Sequence, residues 1–330
     1  MRTLLPLTTI FTVALSSCSD SEKDPSYLNS VPSGKGFQFV TQETIVSQGN
    51  EQQDCYFFKV GELASANGVP SDRTINLHRV QLAQREGSHH MNIFRVRTIT
   101  GLNPANGTFQ PASNGTGPCF NSSNWADWPL LTNTQQDGSV DWEYPAGVAN
   151  VLNPDEWLML QTHYVNASTQ KTQQNYGRVT VNFWTIPQEE VKYEMGTIFA
   201  TKQSIRVCTK NPKPIFDGAC QFNSSNPVNI IGANGHFHSR GREFRMYSWD
   251  GMSTQRPAEV QRFYTSTSWD DPPMERSPAL TIPVSSGGGV WYTCAFGWSA
   301  PPIGCQALDT FDRTKYKTPD SQLDCCYTFG

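Results

Sequence analysis

Val179-Thr180-Val181-Asn182-Phe183-Trp184-Thr185-Ile186 decides the fold class. Val179, Val181 and Phe183 alternate with polar positions, so an extended backbone puts them all on one face, which is the pattern of a half-buried strand. The same period recurs upstream at 37–46, 54–60, 74–84, 89–98 and 157–165. It returns downstream at 193–200, 204–208, 228–238, 243–249, 259–264, 280–284 and 289–296. No long 3.6-residue period competes. Short strands separated by Gly, Pro and Asn turns predict an all-β chain made of two tandem β-sandwiches of jelly-roll type. The stretch 101–154 is rich in Asn, Gly, Pro, Ser and Trp and is expected to form long surface loops. The polar break Pro187-Gln188-Glu189-Glu190 marks the domain boundary, giving a first domain at 36–187 and a second at 188–330.

The chain begins with Met1-Arg2 and an apolar run from Leu4 to Leu15, the charged start and apolar middle of an export signal. Leu15-Ser16-Ser17-Cys18 is similar to a bacterial lipobox. Residues 1–18 therefore read as a lipoprotein signal peptide, Cys18 as the lipidated residue and 19–35 as a polar tether. An ordinary cleaved signal is the alternative. Either places the body in the bacterial cell envelope, anchored to a membrane surface or secreted. With a net charge of −4 and 16% charged residues, no basic face for nucleic acid is implied.

Eight cysteines remain once Cys18 is set aside: Cys55, Cys119, Cys208, Cys220, Cys294, Cys305, Cys325 and Cys326. An even number in an exported chain reads as four disulfides. The pairing expected is Cys55 with Cys119, a local Cys208–Cys220 loop, and the last four among themselves.

Five of the six histidines fall into three groups: His89-His90, His163, and His236 with His238. His236 and His238 are one residue apart in a β-rich stretch, so they project from one face and can grip one metal ion. His89 and His90 are adjacent and would face opposite sides of a regular strand, so joint ligation needs a distorted backbone. His163 can complete that site from a neighbouring strand. The remaining histidine, His78, reads as an ordinary hydrogen-bonded residue. Imidazole suits copper, zinc, iron and nickel alike, so these residues do not choose the metal.

Taken together, Ser88-His89-His90-Met91-Asn92-Ile93-Phe94, Leu160-Gln161-Thr162-His163-Tyr164 and His236-Phe237-His238 resemble the three histidine motifs of the copper type II, ascorbate-dependent monooxygenases. That family includes peptidylglycine α-hydroxylating monooxygenase and dopamine β-monooxygenase, and the motif order agrees over residues 37–330. The resemblance implies two jelly-roll domains facing across a copper-bearing cleft. It also implies that His89, His90 and His163 hold an electron-transfer copper and that His236 and His238 hold an oxygen-binding one. The implied chemistry is hydroxylation of a C–H bond of a small organic substrate with O2, one oxygen atom entering the product and the other leaving as water. Ascorbate is the implied electron donor. Copper suits the task because it cycles between two oxidation states, whereas zinc does not.

Two departures from the family bear on this. The family completes its oxygen site with a methionine directly before a late cysteine, and Gly289-Val290-Trp291-Tyr292-Thr293-Cys294 resembles the strand whose cysteine bonds to that later one. The late segment here reads Gln322-Leu323-Asp324-Cys325-Cys326-Tyr327, so Asp324 or Cys325 stands in the methionine's place, with Met252 and Met274 as other thioethers. Second, the peptide-amidating members carry an arginine two residues before the His-X-His pair. Asn234 occupies that position here, and Arg240 lies on the other side of the pair.

Three rival readings follow from the same residues. A cupin would need a further histidine after His238, and none occurs. A zinc site activating water from His163, His236 and His238 leaves His89-His90 unexplained. A copper-binding lipoprotein that stores or senses copper without oxygenating anything is the alternative that the missing methionine favours.

Overall fold

Val179–Ile186 is a strand with Val179, Val181 and Phe183 fully buried, as its alternation requires. The computed structural model describes residues 26–85, 88–97, 108–113, 128–134, 138–166, 174–200, 202, 205–208, 211–237, 241–269, 271–298 and 325–327. For 51, 89, 108–113, 206, 208 and 325–327 the description is of the backbone.

In chain order the first half holds β1 (Gly36–Val40), β2 (Thr44–Val46), β3 (Glu51–Lys59), α1 (Val60–Ala66), β4 (Ile75–Gln84), β5 (Ser88–Val96) and β6 (Thr108–Ser113). It continues with β7 (Leu130–Thr134), β8 (Ser139–Glu143), β9 (Val148–Leu152), β10 (Trp157–Val165), β11 (Asn175–Gly177), β12 (Val179–Ile186) and β13 (Tyr193–Glu194). One sheet has the order β1-β12-β4-β9-β13 with β8 also on β4, and the other has the order β6-β3-β10-β5-β7.

These sheets pack face to face through one apolar cluster. Phe37, Leu82, Val181 and Phe183 come from the first sheet, and Tyr56, Phe58, Met91, Ile93, Leu158 and Leu160 from the second. Phe39 stacks on Phe58 at 4.5 Å across the seam. Each such aromatic side chain contributes about 2 kcal/mol by leaving water. The second sheet is also covered on its outer face, where Phe57, Phe94, Trp128 and Met159 form a separate cluster. Burial on both faces is why Trp157-Leu158-Met159-Leu160 reads as an unbroken apolar run rather than an alternating one.

The second half holds β14 (Arg206–Cys208), β15 (Ile215–Gln221), β16 (Val228–Ile230), β17 (Gly232–Asn234), β18 (Gly241–Trp249), β19 (Arg262–Ser266), β20 (Met274–Arg276), β21 (Ile282–Val284), β22 (Gly289–Phe296) and β23 (Cys325–Tyr327). Its largest sheet has the order β15-β22-β18-β19, and β14–β23, β16–β21 and β17–β20 are separate ladders. Ile205, Val207, Phe237, Phe244, Tyr264, Cys294 and Phe296 form its core. The halves touch at Trp142 of β8. Arg276 lies 5.7 Å from its ring centroid, and its indole nitrogen donates to Ser277 at 3.5 Å. The chain is all-β, as the periodicity requires.

Several details differ from expectation. The stretch 101–154 carries β6, β7, β8 and β9: the first three pair at sheet margins with few apolar positions, whereas β9 lies between β4 and β13 and buries Ala149 and Leu152. Residues 259–261 form a 3-10 turn stabilised by Gln261 capping the Ala258 N–H, and the strand begins at Arg262. Val60–Ala66 is a helix, too short for its period to register. Strand pairing carries Tyr193–Glu194 with the first half, where they lie parallel to β9, so the first sheet runs past the expected boundary after residue 187.

Asp54 sits on β3 opposite Thr162 and is fully buried, its carboxylate accepting from Thr44 Oγ1 at 2.9 Å and Gln52 Nε2 at 2.7 Å. Burial pushes its pKa above the ordinary 3.8, and the two donors only partly offset this. The folded state therefore holds the proton to higher pH than the unfolded state, so its contribution to stability falls as pH rises upward from about 3.8. Asp141 and Asp217, whose carboxyls are held below the ordinary value by Arg79 and, against the effect of burial, by Arg256, act in the opposite sense, so the test is a difference: the denaturant midpoint of Asp54→Asn should rise relative to the wild type as pH increases from about 3.8.

Candidate metal centre

β10 lies between β3 and β5 and is hydrogen-bonded along both edges. On the β5 side, His163 faces His90, but the next residue, Tyr164, faces Ser88. His89 is therefore the extra residue of a β-bulge, two residues of β5 opposing one of β10. A bulge bends its strand and re-aims side chains, which is the distortion that adjacent histidines need before they can serve one ion.

The rings of His90 and His163 meet edge to face, with centroids 4.9 Å apart and an interplanar angle of 71°. Both Nδ1 atoms are withdrawn from solvent, while the residues as a whole stay partly exposed. An ion bound by two imidazoles holds their nitrogens within about 4 Å of each other, since each bond is about 2 Å. Centroids 4.9 Å apart allow a nitrogen of each ring to come within that distance. The donor set, neutral imidazole nitrogen, suits copper. One step along the same face, Asn92 donates to Gln161 at 3.2 Å, and Asn133 stands opposite Asn92 on β7. Gln161 and Asn133 are buried, so an amide layer separates the histidines from the apolar cluster of Phe94, Met159 and Phe57. The sequence reading passed over this layer. Its signal was the period of two, which places Asn92 with His90 and Gln161 with His163.

His236 lies just beyond β17 in a segment that keeps the strand's alternation, with Gly235 buried, His236 exposed and Phe237 fully buried. The Gly235 N–H donates to the Tyr264 hydroxyl at 3.0 Å, and that hydroxyl donates to the Pro273 carbonyl at 2.7 Å. Asn234 Nδ2 reaches the Pro272 and Pro273 carbonyls at 3.3 and 3.2 Å. Any side chain at position 235 would run into the Phe244 ring. Met274 stands opposite Asn234 in the β17–β20 ladder and is partly buried, whereas Met252 is 82% exposed on a turn closed by Asp250.

Other expected residues are placed as follows. His238, Asp324, Arg240, Cys18, Cys119 and Cys305 lie outside the described residues, and for His89 only the backbone is described. Among the described residues, no three His, Cys, Asp or Glu side chains converge on one point. His78 donates its Nδ1–H to the Val148 carbonyl at 2.8 Å and takes no part in either histidine group.

Cys55 is disulfide-bonded. Cys220 and Cys294 carry free thiols, which departs from the expected pairing. Cys208 lies on β14, where the ladder sets its backbone opposite Cys325, while Cys220 belongs to another sheet. Cys294 packs into the core beside Phe244 and Phe296, and burial pushes its thiol up to about 12.

No family model matches the chain, and no curated protein matches it. Among solved structures, a chain from naturally occurring empty particles of cowpea mosaic virus aligns at 7% identity over 86% of this chain and 96% of its own, with a TM-score of 0.26. A likeness that weak carries no argument about fold or function.

Excising His89 would let Ser88 and His90 follow one another in an unbroken ladder with Tyr164 and His163. The variant should keep its far-ultraviolet circular dichroism and lose tight copper binding at the His90–His163 pair, read by titration with Cu(II) and electron paramagnetic resonance.

Proposed function

We propose that this chain is a copper-dependent monooxygenase that hydroxylates a C–H bond of a small organic substrate with O2 and an ascorbate-like reductant. The observation that carries the proposal is the bulge at His89 opposite the His90–His163 ring pair. Among the described residues it is the backbone irregularity that an adjacent-histidine ligand pair requires. In this reading His89, His90 and His163 hold one copper and His236 and His238 hold another, each within its own jelly roll. Bound copper would supply one-electron redox chemistry and a site for O2.

The protein's own residues set the terms of that chemistry. The ladder fixes His90 and His163, and the amide layer beneath them keeps their surroundings polar. The exposed His236 faces solvent, where a small substrate can arrive. Asn234 in place of a cation, with its amide already committed to the Pro272 and Pro273 carbonyls, argues against a carboxylate-clamped substrate such as a peptide C-terminus. Met274 shares the outward face with Asn234 and His236, and its soft thioether suits Cu(I) better than the hard carboxylate of Asp324. A lipid anchor at Cys18 with the 19–35 tether would hold this body at the surface of a bacterial envelope membrane.

One observation favours a second reading, copper storage or sensing without oxygenation: the late segment 322–327 contains no methionine. The two separate in one experiment. The oxygenase should consume O2 only with ascorbate and substrate and form hydroxylated product in equal amount; a storage protein should bind copper and form none. In both, purified protein should bind two coppers, with His89→Ala losing one and His236→Ala the other. A variant pair that loses the same single copper would contradict the two-site arrangement.

A further inference from the structure

Gly235 is held from two sides. The Phe244 ring fills the space where a side chain would begin, and the Tyr264 hydroxyl takes the backbone N–H. Tyr264 lies on β19, paired with Met246 of β18, is 2% exposed, and meets the Phe244 ring edge to face at 6.2 Å. A phenol has one proton to give. It goes to the Pro273 carbonyl at 2.7 Å, so the oxygen lone pair is left for Gly235. One buried hydroxyl thus ties the segment carrying His236 to the residue directly before β20.

We propose that Tyr264 is a positioning residue for the second metal site, fixing the direction in which the His236 imidazole is offered by locking the backbone of Gly235 against Pro273. The inference rests on the reading of His236 as a metal ligand. β17 ends at Asn234 and His236 lies just beyond it, whereas His90 and His163 stand opposite one another within the β5–β10 ladder. A metal site tolerates only about 0.5 Å of error in its ligands, so a buried tie on the residue directly before His236 bears on how its imidazole is held. Burial pushes the Tyr264 pKa up to about 12, so the hydroxyl keeps its proton, and with it the bond to Pro273, through the neutral range.

Tyr264→Phe removes the hydroxyl and leaves the ring packing on Phe244. The test uses the full chain and measures three things: copper affinity by competition with a chelator, the Cu(II) resonance of each site, and amide hydrogen exchange of the 235–237 segment. Copper bound through His236 should weaken about tenfold, the lower end of what losing an outer hydrogen-bond partner costs. Its resonance should shift, the 235–237 amides should exchange faster, and the His90–His163 site should keep its affinity and spectrum. If Tyr264→Phe keeps wild-type affinity and spectrum while His236→Ala loses a copper, the positioning role is wrong and His236 is still a ligand. Equal weakening of both sites with a lowered unfolding midpoint would also overturn it, by showing a general structural role. Retention of both coppers in His236→Ala would remove the reading on which the inference stands.

Discussion

The pairing of β10 with both of its neighbours is the constraint from which the arrangement of histidines follows. Trp157 to Val165 are matched residue for residue with Lys59 to Glu51 on β3, so β10 cannot slide. Nor can its faces exchange. Leu158 and Leu160 belong to the core between the sheets and Met159 to the outer cluster, and a slip of one residue would turn each to the wrong side. An extra residue between Ser88 and His90 therefore has to be absorbed by β5 alone. The bulge at His89 is that accommodation, and it falls opposite the histidine of β10.

The far end of the same strand pair is fixed by charge. Arg95 of β5 forms a two-pronged ion pair with Glu156, the residue before β10, at 2.5 and 2.9 Å, with side-chain exposures of 12% and 7%. A third bond runs from Arg95 to the Val151 carbonyl at 3.1 Å. Burying two charges costs about as much as their attraction returns, so this pair is better understood as fixing geometry than as a large source of stability. It sets the register at one end, and the bulge takes up the difference at the other. Packing, the ion pair and the bulge thus all bear on one alignment, which a chain of short strands would otherwise leave loosely specified.

How far this was legible in the sequence depends on the kind of signal each element leaves. Trp157–Val165 and Gly289–Phe296 match the expected strands at both ends because their apolar residues are fixed by cores on known faces. Leu130–Thr134 and Ser139–Glu143 were invisible, since strands with few buried apolar residues have the composition of loops. The histidine groups stood out by scarcity and spacing, and the distortion needed by His89-His90 could be deduced from strand alternation alone. Its location could not, because a bulge is a property of the partner's register. Tyr264 was equally hidden: its role comes from an oxygen meeting Gly235, far away in sequence, and nothing in Arg262–Ser266 distinguishes it from an ordinary core tyrosine. The expected Cys208–Cys220 pair departs for a related reason. Proximity in sequence suggested Cys208 with Cys220, but the ladder that holds Cys208 runs to the far end of the chain.

The two histidine groups are built by different physics, and the proposed function gives that difference a use. His90 and His163 sit in the middle of a doubly paired sheet, with Nδ1 atoms out of solvent and buried amides beneath them. Surroundings that cannot rearrange suit an ion that gives and takes electrons, because little has to move when its charge changes. His236 sits beyond a strand end, exposed, on backbone secured by a ring and a hydroxyl rather than by a ladder. In the proposed function, so exposed a position would let O2 and a substrate reach the bound ion. A position beyond a strand end lies outside the ladder, and the buried tie through Tyr264 and Pro273 would then give the proposed open site a fixed backbone.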